Sequence, residues 1–130
     1  MDRPTVKDLD IVLMGGYPPE YEQRQGTATD VDITSCPANV WRVVINASCG
    51  GTSGCRGTLG VVRNGIYYRL NSGTAINGYS AILINPVILR PGDILHGFDP
   101  AGGFPFGSCQ YVDVPIPSGG EGEFYRTRRA

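Results

Sequence analysis

The sequence is poor in the residue types that build most catalytic and metal centres. It has one histidine, His96, and four cysteines among 130 residues. A metal site of the kind that needs several histidines plus a carboxylate cannot be assembled from one imidazole. Cys49 and Cys55 enclose "GGTSG", a wider gap than the short paired spacings of zinc sites. Charge of either sign is also scarce. Eleven basic and twelve acidic residues leave a net charge of -1, so no global field draws the chain to nucleic acid or to an anionic membrane. No apolar run approaches the ~20 residues that cross a bilayer. The start, "MDRPTVKDLD", lacks the charged and apolar regions of a secretion signal, so the chain is expected to be made in the cytoplasm, with free thiols as the default.

Motifs of common chemistries are missing too. "GGTSGCRGTLG" has neither a Gly-Lys-Ser/Thr ending nor a following helix, and so lacks the amide cradle and dipole of a phosphate loop. No nucleophile elbow surrounds a serine, and no local signature surrounds a cysteine. Asp93 and Asp99 flank turns, where carboxylates ordinarily bond their own backbone. His96 alternates with Ile94 and Phe98, which sets it on a sheet face with its nitrogens expected to bond backbone or water. The sequence thus argues against an enzyme, and it calls for no cofactor and no metal. The sequon at Asn46 and the arginines of the "YRTRR" tail carry little weight alone.

What the sequence does have is turns. Nineteen glycines and ten prolines punctuate short β-rich stretches and specify an all-β domain. "ATDVDITSCP" alternates, with Val31 and Ile33 on one face. "NVWRVVINAS" places Trp41, Val43, Ile45 and Ala47 on one face, expected to be the core side, and Val40, Arg42, Val44 and Asn46 on the other. Asn64-Gly65 predicts a type I′ hairpin from Thr58 to Leu70. Asn85-Pro86 interrupts a strand region, Pro91-Gly92 fits a type II turn, and "SCQYVDVPI" forms a last strand. The expected architecture is a single β-sandwich, jelly-roll or Greek-key like, over 27–117, with an N-terminal arm (1–26) and a C-terminal tail (118–130).

The order of features from Cys36 to Phe98 resembles small β-sandwich virion proteins of tailed bacteriophages, of the capsid decoration (cement) or neck-adaptor kind. The resemblance rests on Cys36-Pro37, "VVINAS", "IYYRL" and the corner Leu89-Arg90-Pro91-Gly92-Asp93. It implies a non-enzymatic structural subunit, homo-oligomeric, located in the virion. Its partner would be the major capsid protein or other virion proteins, not nucleic acid or membrane. Expected partner-binding residues are Ile11, Val12, Leu13, Met14, Tyr17 and Tyr21 in the arm and Phe124, Tyr125 and Arg126 in the tail, residue types at home in interfaces. The alternatives are a neck or tail-adaptor ring at the portal vertex, and a carbohydrate-binding module that stacks sugars on Tyr67, Tyr68 or Tyr79.

Overall fold

The computed structural model describes residues 19–27, 29–50, 57–72, 80–99 and 105–116. Nine strands and no helix occur among the described residues: β1 (Glu20–Gln25), β2 (Asp30–Ser35), β3 (Val40–Gly50), β4 (Thr58–Arg63), β5 (Ile66–Ser72), β6 (Ala81–Ile82), β7 (Val87–Leu89), β8 (Ile94–Phe98) and β9 (Phe106–Pro115). One sheet runs β1-β9-β3-β6, with β7 also pairing β3, and the other runs β2-β8-β4-β5. All pairs are antiparallel. The two sheets pack face to face as a β-sandwich, and most successive strands fall in opposite sheets.

The turns form where the residue chemistry requires them. Asn64 and Gly65 both take positive φ, 53° and 77°, which a type I′ hairpin demands and few residues other than Asn and Gly accept. At the Pro91-Gly92 corner Gly92 has φ 89° and the Asp93 amide donates to the Arg90 carbonyl at 2.9 Å, as in a type II turn. Asp93 is buried there. Its carboxylate accepts from the Arg90 amide at 2.8 Å and from the Arg63 guanidinium at 2.6 to 3.0 Å. Turn duty is thus joined to an ion pair that ties the corner to β4.

Between the sheets lies a core of Val31, Ile33, Val44, Ala47, Cys49, Leu59, Val61, Leu89, Leu95, Cys109 and Tyr111, with Cys36 and Ala81. Each large aliphatic side chain buried here contributes about 1.5–3 kcal/mol. The expected facing of β3 needs correction. Trp41 and Val43 are buried, but Val43 belongs with Val112 to a second cluster, packed against Ile45, Ile88 and Val114, on the opposite face of the sheet. Val44 faces the main core instead. A register shift between Val44 and Asn46 then returns Ala47 and Cys49 to that core. From Trp41 to Val44 the central strand β3 is buried on both faces, so alternation of hydrophobicity could not mark the inner one.

The segment expected as an arm also differs in part from that reading. Its last residues form β1, which pairs along its whole length with β9, from Glu20 opposite Tyr111 to Gln25 opposite Phe106. "EYEQRQ" is polar and mostly exposed, so the strand carries no apolar alternation. It is held by main-chain pairing and by Glu22. Glu22 Oε1 accepts from Thr34 Oγ1 at 2.9 Å and from Arg42 Nη1 at 3.3 Å. "DLDIVLM", the stretch expected to have strand character, lies outside the described residues.

Candidate functional site

His96 sits on the outer face of the β2-β8-β4-β5 sheet, because its neighbours in the alternation, Leu95 and Gly97, turn inward. Its Nδ1 lies 2.8 Å from Asp32 Oδ1 and its Nε2 lies 2.9 Å from Asp30 Oδ1. This corrects the expectation that the ring bonds backbone or water. Both carboxylates come from β2, the strand paired with β8, where Asp32 stands opposite His96 and Asp30 opposite Phe98. The spacing D-x-D delivers two acids to one face of a strand, and the ring spans both. Only the imidazolium donates from both nitrogens; the neutral ring donates to one carboxylate at a time.

The environment is half open. His96 is 17% exposed at its side chain, Asp30 46% and Asp32 59%. Tyr67 meets the imidazole edge-on, with centroids 5.8 Å apart. The tyrosine is seated by Gly60, where a Cβ would come within 2.5 Å of its Cζ. Thr29 donates through its hydroxyl to the other oxygen of Asp30. That bond, opposed by some burial and joined by His96, holds the Asp30 carboxyl below its ordinary value of 3.8. Beside the trio opens a cleft of about 520 Å³ lined by Arg24, Gln25, Gly26, Thr27, Asp30, Val31, Asp32 and His96.

Chemically, this arrangement is a staple between β2 and β8. A general base needs a ring nitrogen free to face a nucleophile or substrate, and both nitrogens here face carboxylates. They also point to opposite sides of the ring, so the two aspartates and the imidazole do not converge on one point. Among the described residues no group of three or more His, Cys, Asp or Glu is placed to hold a metal ion.

The candidate partner-binding residues divide by position. Tyr21 is on β1, opposite Gln110 and 62% exposed. Ile11, Val12, Leu13, Met14, Tyr17, Phe124, Tyr125 and Arg126 lie outside the described residues. Of the tyrosines considered for sugar stacking, Tyr79 lies outside as well. Tyr67 is committed to Gly60, His96 and, through its hydroxyl, Thr58 at 3.4 Å. Tyr68 is 52% exposed.

The apolar edge of the second sheet is not among the sites expected from the sequence. β5 ends the second sheet, and Ile66, Tyr67, Tyr68 and Leu70 are all exposed along it. Its signal was the run "IYYRL", apolar on both faces of a strand that closes a hairpin.

No protein-family model matches the chain, and no curated protein matches it. Among solved structures, it is similar to a chain in the acid-stable capsid structure of Helicobacter pylori bacteriophage KHP30. The TM-score is 0.52 at 4% identity, over 78% of this chain and 96% of that one. At so low an identity the two share a fold, and the likeness takes in nearly all of the phage chain.

Proposed function

We propose that this protein is a non-enzymatic structural component of a phage particle, a capsid decoration subunit that binds and stabilises the assembled head. The observation that carries the reading is the fold shared with a chain of a phage capsid structure. The ordered motifs from Cys36 to Phe98 support it. His96, the residue on which an enzyme reading would depend, is occupied on both sides by carboxylates.

The physical logic is that of a rigid display. A sandwich with a buried core presents strand edges and terminal segments, and extended segments recognise other proteins by adding strands or lying in grooves. A subunit that binds the assembled lattice and not its separated parts stabilises the lattice by mass action. Several linked contacts raise the effective affinity by ~10²–10⁴ with no new chemistry. Ile11, Val12, Leu13 and Met14, with Tyr17, Tyr21, Phe124, Tyr125 and Arg126, are the residues proposed to make those contacts.

The test is cosedimentation of the purified protein with empty phage heads. Saturable binding supports the reading, and sites spread over the shell in electron micrographs separate decoration from a ring at one vertex. No binding at ~100 µM, a concentration that populates even weak complexes, refutes it. Any truncation must stop before Pro19, since β1 is part of the sandwich.

A further inference from the structure

Strand β5 is self-complementary about Tyr68, and we infer that two copies of the chain join there, edge to edge, through a two-fold axis normal to the sheet. The inference is independent of the virion reading and concerns the free protein in solution.

Among the described residues no strand pairs with the outer side of β5, and this free edge is short. Ile66 to Leu70 are exposed in every position, while Asn71 and Ser72 are half buried. There Asn71 Nδ2 donates to the Ile82 carbonyl of β6 at 2.6 Å. Along the other side β5 pairs with β4, Arg63 opposite Ile66 and Val61 opposite Tyr68. In a two-residue hairpin the residues flanking the turn exchange hydrogen bonds, and the alternation that follows turns the amides and carbonyls of Tyr67 and Arg69 toward the free edge. An open edge with apolar side chains on both faces invites another strand, and proteins normally blunt such edges with charge or proline. Here the only charge is Arg69.

That charge disfavours a register centred on itself. An antiparallel two-fold centred on Arg69 sets two arginines directly opposite each other, which is repulsive. Centred on Tyr68, the axis sets Tyr68 against Tyr68 of the second copy and Ile66 opposite its Leu70. On the other face each Arg69 stands opposite an uncharged Tyr67, so no like charges meet. The same register makes Tyr67 and Arg69 the hydrogen-bonding pair, so the main-chain groups that face outward are the ones satisfied. Side chains and backbone therefore agree on one alignment. Five paired residues cover less area than a stable dimer needs, so the dimer is a weak one that forms at high local concentration.

Sedimentation velocity of the full chain from ~1 µM to ~1 mM, a span covering weak affinities, tests this. The expected result is a concentration-dependent dimer that Tyr68→Lys weakens by at least ~10-fold by placing like charges on the axis. Tyr68→Cys, under mild oxidation, is expected to give a covalent dimer, because residues directly opposite in a non-hydrogen-bonded pair lie within disulfide reach. Arg69→Cys and the unsubstituted chain, treated alike, are expected not to. A chain that stays monomeric throughout overturns the inference. So does equal cross-linking at Tyr68→Cys and Arg69→Cys. Association that survives Tyr68→Lys but is lost in Ile11→Lys overturns it in favour of the N-terminal segment. Circular dichroism of each variant confirms the fold, and a dimer that forms in a chain showing no capsid binding would refute the virion reading alone.

Discussion

Arg42 and Asp113 stand directly opposite each other across the β3-β9 ladder and are joined by two parallel hydrogen bonds, Nε to Oδ1 at 2.8 Å and Nη2 to Oδ2 at 2.9 Å. The guanidinium is buried and lies 3.8 Å from the Tyr111 ring centroid. Its remaining nitrogen reaches Glu22 on β1 and, on β2 in the facing sheet, Thr34 Oγ1 at 2.6 Å and the Ser35 carbonyl at 3.0 Å. One cation thus ties together both sheets. Asp113→Asn is expected to cost about 2–3 kcal/mol, less than the full penalty of an orphaned buried charge because Glu22 remains and Asp113 is partly exposed. Arg42→Met combined with Asp113→Asn is expected to be less harmful than Asp113→Asn alone, since no buried charge is then left unpaired. Urea unfolding of the three chains checks the order, and a double variant worse than the single would contradict this account.

Gly97 and Cys49 meet across the core. A Cβ at Gly97 would come 2.5 Å from Cys49 Sγ and 2.9 Å from Val31 Cγ1, far inside contact distance. Gly97→Ala is therefore expected to destabilise by about 1–3 kcal/mol through overpacking. Cys49→Ala removes the sulfur and should recover part of that loss when combined with it. The double-mutant cycle, measured by thermal unfolding, is expected to show coupling of about 0.5–1.5 kcal/mol; strict additivity would mean that the clash is relieved elsewhere.

These two contacts also show where the sequence was readable. The Asn64-Gly65 and Pro91-Gly92 turns and the alternation of Val31 and Ile33 were legible because each rests on a local rule, positive φ or a period of two. The facing of β3 was not, because Trp41 and Val44 are both buried, on opposite faces, and a bulge shifts the register between them. Arg42 read as a solvent-side residue, since nothing local reveals that Asp113, 71 positions away, neutralises it. β1 was hidden for the opposite reason: its residues are polar, and what fixes them is β9, near the other end of the chain. His96 was correctly set on a sheet face, but its carboxylate partners, 64 and 66 positions earlier, depend on a strand pairing that spacing alone does not disclose.

Acid sensitivity should trace partly to Asp30. Its carboxyl is held below the ordinary value of 3.8 by the Thr29 hydroxyl and by His96, against a smaller opposing effect of burial. A folded-state value below the unfolded one means that this stabilisation is complete above the unfolded value and disappears as pH falls through the folded one. The stability of the native chain is therefore expected to decline more steeply than that of Asp30→Asn as pH falls below about 4. The effect is modest because Asp30 is nearly half exposed. Parallel curves for the two chains would show that the Asp30–His96 pair contributes nothing in acid.

The thiols make a sharper prediction. Cys36, Cys49 and Cys109 are free and buried, and burial pushes each of them up to about 11. Cys36 in addition donates to the Leu89 carbonyl at 3.4 Å. Thiolate is the reactive form, so at pH 8 these side chains combine a small ionised fraction with a closed environment. Labelling by iodoacetamide, mapped by mass spectrometry, is expected to leave all three unmodified in the native chain over hours and to modify them within minutes in denaturant. If opening is rare, their native labelling should follow the global unfolding equilibrium, and Gly97→Ala should accelerate it in proportion to its loss of stability. Rapid native labelling of Cys49 or Cys109 would mean that the sheets part locally without unfolding, which the packing of Ile33, Leu59 and Leu95 between them does not permit.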